Sequence, residues 1–170
     1  MILTRRGKIF VASAIAGTII AFTLMYIVAT QQATVLENDI GIDITDIGVT
    51  SYNQETDTIT LQVTFQISNN SDVVMSLGII SYDLFGNGVN ICKSGTSYRD
   101  IPLVGRPQIF SHGISGPIRT NCDIKRSSQN TEIFDTLLNN NLNSIRFNTK
   151  GTAEIETSIS VITKSFDIVY

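Results

Sequence analysis

Cys92, Cys122 and the single histidine, His112, are the residues of this chain best suited to covalent or metal chemistry. In the order Cys92…His112…Cys122 the gaps are 19 and 9 residues, whereas zinc sites keep their ligands in close pairs. A Cys–His nucleophile pair would lack a second histidine and any recognisable elbow, and Phe110-Ser111-His112-Gly113 reads as an exposed loop. The simplest reading of two cysteines outside the cytoplasm is a disulfide. It would close a loop of about 30 residues and contribute about 3–4 kcal/mol in the chain-entropy model. Two separate free thiols are the alternative.

Carboxylates and amides add little chemistry. Glu154 and Glu156 alternate with Ala153 and Ile155, so both face one side of a strand. Paired acids can do acid–base work, but on a wet strand face they ordinarily serve solvation. Asp39, Asp43 and Asp46 lack the spacing of a calcium loop. Asn69-Asn70-Ser71 is a glycosylation sequon on what reads as an exposed turn, which makes Asn69 a candidate acceptor. Lys125-Arg126 is too short a basic run to imply nucleic acid or anionic lipid. No phosphate-binding loop, dinucleotide fingerprint or Gly-x-Ser-x-Gly is present. The expectation is a protein that is not an enzyme, with no catalytic residues, no metal and no cofactor.

Composition agrees with a folded, partly membrane-bound chain. Of 170 residues 42% are hydrophobic and 16% charged, and there is no tryptophan. No charged residue falls between Ile9 and Leu36, while Arg5, Arg6 and Lys8 lie just before this run. After it, nine basic residues against fifteen acids leave −6, an acidic balance that argues against a nucleic-acid partner. Residues 9–29, IFVASAIAGTIIAFTLMYIVA, would make a helix about 31 Å long against a hydrocarbon core of ~30 Å. The expectation is a single-pass transmembrane helix, with a cytoplasmic basic segment over 1–8, a tether over 30–38 and an extracellular domain over 39–170. A cleaved signal peptide ending at Ala29 and a prepilin-like signal cut near Gly7 are its rivals. Ser13, Gly17 and Ala21 form a small-residue stripe through which two such helices could associate into a homo-oligomer.

The domain reads as strands. Ile59, Leu61, Val63, Phe65 and Ile67 alternate without error against Thr60, Gln62, Thr64, Gln66 and Ser68, which predicts a strand with one buried and one wet face. Ile40, Ile42 and Ile44 hand over to Ile47 and Val49 with a one-residue slip at Thr45-Asp46. Met75, Leu77 and Ile79 hand over to Ile80, Tyr82 and Leu84 in the same way. Each slip predicts a bulge or a crossing between sheets. Gly86-Asn87-Gly88 predicts a tight hairpin and Asn69-Asn70-Ser71-Asp72 a second turn. Later strands are expected near 115–120, 142–148, 152–161 and 165–170. Asn130 can cap one helix that carries Ile133, Phe134, Leu137 and Leu138 on one stripe and ends at Asn139-Asn140-Asn141. The fold class expected is mainly β: an immunoglobulin-like or fibronectin-like antiparallel sandwich of about seven strands with one short helix.

The order and spacing of these segments resemble the group-2 late embryogenesis abundant proteins, the WHy (water stress and hypersensitive response) domain. The likeness covers most of 40–170. It rests on the strand over 58–68 running into Asn69-Asn70, the strand over 76–84, the Asn87-Gly88 hairpin and Ile101-Pro102. It ends with Ser144-Ile145-Arg146-Phe147-Asn148-Thr149-Lys150-Gly151-Thr152-Ala153, similar to the family's penultimate strand and its glycine. The family's turn is usually Asn-Pro, and Asn70 stands in place of that proline. Members often carry one N-terminal membrane helix. The resemblance implies a folded, non-catalytic sandwich associated with stress and desiccation tolerance. Its polar strand faces could contact lipid head groups, glycans or envelope proteins. The alternative is an envelope adaptor, or a stator or filament-associated subunit of a cell-surface assembly.

Overall fold

The alternating segment becomes the spine of one sheet. In the computed structural model, which describes residues 5–158 and 160–170 (backbone alone for 5–12 and 29–33), strand β2 spans Thr58–Asn69. Its Ile59, Leu61, Val63, Phe65 and Ile67 are fully buried. β1 (Ile40–Asn53) pairs antiparallel along one edge of β2. The other edge is shared by β7 (Ile118–Lys125) and the two-residue β6 (Gly113–Ile114). A second antiparallel sheet runs β4 (Val89–Ser97), β3 (Met75–Gly86), β8 (Phe147–Glu156) and β9 (Val161–Val169), with β5 (Gln108–Ile109) also on β3. Facing inner rows from both sheets fill one core. Phe65 meets Tyr82 edge-on at 5.0 Å and Phe166 at 5.8 Å. This is the layered sandwich that period-two strands with one dry face require.

The slips appear as bulges. β1 skips a pairing between Ile44 and Asp46, as the sequence predicts. On β3 the shift lies between Leu77 and Ile79, at Gly78, one residue earlier than expected, so that Leu77 and Ile80 both point inward. The hairpin turns on Asn87 and Gly88, both at positive φ (48° and 84°). α2 (Thr131–Leu138) buries Ile133, Phe134 and Leu137. Leu142–Ser144 forms a short 3-10 turn instead of strand, which lets Ile145 close over Gly86 beside Ile133. The run expected over 152–161 is cut by a turn in which the Thr157 backbone N–H donates to the Ser160 carbonyl at 2.8 Å.

The transmembrane expectation is corrected. Among the described residues no helix is long and apolar enough to cross a membrane. What forms is α1 (Arg5–Asn38), whose backbone runs on through 30–38, so the expected tether is helical. The side chains of 9–12 and Ala29 lie outside the described residues. Those of 13–28 are exposed. Within them Thr18 and Thr23 return their hydroxyls to the carbonyls of Ala14 and Ile19, both at 2.9 Å. The chain divides into two units, Met1–Val35 and Leu36–Tyr170, the second holding both sheets.

One buried polar link joins the sheets. The Tyr82 and Thr120 hydroxyls lie 2.7 Å apart, and Thr120 also donates to the Val63 carbonyl at 3.3 Å. Burial raises the Tyr82 phenol above its ordinary value of about 10, an effect its bond to Thr120 partly offsets. Because the folded state holds this proton more tightly, the associated stability is complete below pH ~10 and falls as pH climbs through the raised value. An alkaline titration followed by phenolate absorbance should show Tyr82 among the late-ionising tyrosines, its ionisation accompanied by loss of the fold. Ionisation of every tyrosine before any unfolding would contradict this.

Candidate functional site

The two cysteines meet across the sandwich. Cys92 on β4 and Cys122 on β7 form a disulfide with Cα atoms 6.2 Å apart, tying an edge of one sheet to the facing edge of the other. The Ser94 hydroxyl donates to the Asn121 carbonyl alongside it. His112 does not join the cysteines. It sits on an exposed turn with φ 49°, its ring 2.8 Å from the Asp72 carboxylate.

Glu154 and Glu156 are pinned by arginines. Arg99 pairs with Glu154, and Arg106 Nη1 lies 2.6 Å from Glu156 while its other nitrogens donate to the Ile101 and Arg99 carbonyls. The carboxylates thus hold the 99–106 loop onto the sheet, a role beyond the solvation expected. Arg126, dismissed in sequence as half of a short basic run, is a second anchor. It reaches Asp57 at 3.1 Å and Asp135 at 2.5 Å, and lies 4.7 Å from the Phe134 ring centroid. Asp39, Asp43 and Asp46 do not converge, and among the described residues no three His, Cys, Asp or Glu side chains are grouped to hold a metal.

Asn69 is corrected from exposed acceptor to buried strut. It is 1% exposed, and its amide nitrogen donates to the Val73 carbonyl at 2.7 Å and the Phe110 carbonyl at 3.1 Å. Its amide oxygen accepts from the Ser71 backbone and hydroxyl. A glycan on this nitrogen has no room in the folded domain. Asn69→Ala should cost about 2 kcal/mol, because buried carbonyls and an N–H lose their partner; denaturant unfolding measures it, and a loss under about 0.5 kcal/mol would contradict the strut role. Ser13, Gly17 and Ala21 line one exposed face of α1, and a Cβ on Gly17 would meet nothing within 4 Å.

The sequence reading missed a depression on the outer face of the second sheet. Strand register places Phe85, Asn148 and Val169 in one row across β3, β8 and β9, with Asp83, Lys150 and Asp167 in the row beside it. Arg146, just ahead of β8, and the Asn87-Gly88 turn close one end. Together Phe85, Asn87, Gly88, Arg146, Asn148, Lys150 and Val169 line an open hollow of about 670 Å³, within the ~300–1,000 Å³ of ordinary ligand pockets. The rim is held in place: the Arg146 backbone N–H donates to Asn87 Oδ1 at 2.9 Å, and the Asn87 N–H donates to the Arg146 carbonyl at 3.0 Å. Asn148 Nδ2 donates to Asp167 Oδ1 at 2.7 Å, and Lys150 pairs with Asp167 at 3.0 Å. These two hold the Asp167 carboxyl below the usual carboxylate range, Asn148 contributing most. The Arg146 guanidinium has no ion-pair partner among the described residues.

No family model matches the chain, and no curated protein does. Solved structures do match. The X-ray structure of the structural-genomics target SoR45 shares 10% identity over 79% of this chain and 87% of its own, with a TM-score of 0.51. A solution structure from Arabidopsis thaliana has 12% identity, covers 76% of this chain and 79% of its own, and scores 0.48. Another, named as a late embryogenesis abundant protein, has 10% identity, covers 87% and 88%, and scores 0.40. The likeness is one of fold.

Proposed function

We propose that this chain is a non-catalytic, stress-protective β-sandwich that works in an oxidising compartment through surface contacts. The observation that carries the reading is how its polar residues are used. Arg99, Arg106, Arg126, Glu154 and Glu156 act as pins between strands and loops. The outer strand rows offer hydroxyls and amides, such as Thr60, Gln62 and Gln66 on β2 and Thr152, Thr163 and Ser165 on β8 and β9. Such a face replaces water at a drying surface by hydrogen bonding, and a covalently tied frame keeps it presented. The late-embryogenesis-abundant resemblance in sequence supports the same role, and the disulfide supports the compartment. Drying a labile reporter enzyme with the purified protein tests it. Greater recovery than with equal albumin is expected, and no advantage over albumin would remove the stress role.

A second reading, an adaptor in a cell-surface assembly, is favoured by the exposed apolar side chains of Val74, Leu103, Val104 and Phe110 between strands, and of Ile114 on β6, at the β2–β3 end. Crosslinking on intact cells that captures one surface protein reproducibly, and loses it with Val104→Ser and Phe110→Ser, would select that reading.

A further inference from the structure

We infer that the hollow between the Asn87-Gly88 turn and β9 binds an acidic sugar unit of a glycan. The inference stands apart from the protective role, because it rests on this hollow alone. Three features of the lining specify the ligand. The half-buried Phe85 ring and Val169 supply an apolar floor suited to the C–H face of a sugar ring.

The charges are also ordered along the hollow. At one end the Arg146 guanidinium, with no ion-pair partner among the described residues, sits beside Asn87 and Gly88, and its planar fork matches a carboxylate. At the other end Lys150 is already paired with Asp167, with Asp83 in the same row. A ligand must therefore place its anion at the Arg146 end and bring hydroxyl groups to Asn148 and Lys150 farther along. A uronic acid has this polarity. Inorganic phosphate does not, since it has no ring to lie on Phe85 and Val169 and cannot span from Arg146 to Asn148 and Lys150.

The third feature is preorganisation. The reciprocal backbone and side-chain bonds between Asn87 and Arg146 fix the cationic end to the sheet before any ligand arrives, and Gly88 leaves the rim free of side chain.

The test uses the full chain and three probes: a glucuronic-acid-containing disaccharide, its neutral glucose counterpart and inorganic phosphate. Calorimetry should show the acidic disaccharide binding at least tenfold more tightly than either control, with amide shifts confined to Asn87, Gly88, Asn148 and Lys150. Arg146→Gln should lower that affinity at least tenfold at an unchanged melting temperature, since this side chain is exposed. Phe85→Leu should weaken the acidic disaccharide while leaving residual phosphate binding alone. Equal binding of the neutral sugar, phosphate binding as tight as the uronate, full affinity in Arg146→Gln, or shifts elsewhere on the sandwich would each overturn the assignment. Protection on drying without sugar binding would overturn this inference and leave the protective role standing; sugar binding without protection would do the reverse.

Discussion

Replacing Cys92 and Cys122 together by alanine should lower the melting temperature of the sandwich by about 10 °C. The closed loop is long, with 30 residues of sequence separation. Releasing it returns about 3–4 kcal/mol of chain entropy to the unfolded state, and each kcal/mol moves the transition of a domain this size by roughly 2–4 °C. Position sharpens the expectation. Cys92 lies on β4 and Cys122 on β7, edge strands of opposite sheets, and the segment between them contains the irregular 98–117 stretch. Without the bond, that side keeps the Ser94–Asn121 hydrogen bond and the buried Tyr82–Thr120 link as its named polar ties. Reductant added to the wild type should reproduce most of the alanine effect, and should do nothing to the double variant. A melting shift below about 2 °C in both experiments would mean that apolar packing alone closes this edge.

That bond was legible because two cysteines in an otherwise unreactive chain have few other uses. β2 was legible for a similar reason, since its alternation is local and unbroken. The Thr45 bulge could be read because a one-residue slip moves every later side chain to the other face. Other features depend on distance. Glu154 and Glu156 meet Arg99 and Arg106 through a loop some fifty residues away, and no local pattern announces such a pair. Asn69 occupies a turn whose residue types are the same whether the turn is wet or buried; the packing of Val73 and Phe110 around it decides. The hollow arises only when β3, β8 and β9 take their register and bring Phe85, Asn148 and Val169 abreast. α1 outran its expected boundary because nothing in 30–38 stops a helix: Gln31, Gln32 and Ala33 tolerate helical backbone, and no glycine or proline intervenes before Asn38. Its apolar run was read as a membrane crossing, which no described helix satisfies.

Gly151→Ala should be the most damaging single-methyl change in the domain. Gly151 lies mid-strand on β8, opposite Tyr82 on β3 and Phe166 on β9, and faces the core side that both rings occupy. A Cβ there would press far inside contact distance of the Ser81 carbonyl oxygen, and would lie 2.6 Å from Phe166 Cζ and 2.8 Å from Tyr82 Cβ. The Phe166 ring could swing away, but the Ser81 oxygen belongs to a paired strand and cannot move without opening the β3–β8 ladder. The cost is therefore at the upper end of overpacking, about 3 kcal/mol or more. Gly48→Ala is the control, because the nearest atom to its added Cβ is an Asp46 carboxylate oxygen at 4.0 Å, and surface changes of that kind stay within about 0.5 kcal/mol. Urea midpoints of the two variants should differ several-fold in their displacement from wild type. Displacing Tyr82 also weakens its hydroxyl link to Thr120, so the late-ionising phenol should revert toward ordinary behaviour in Gly151→Ala and stay late in Gly48→Ala. Equal midpoints for the two would show that β8 can bow outward at no cost, and that the two rings do not require a bare backbone beneath them.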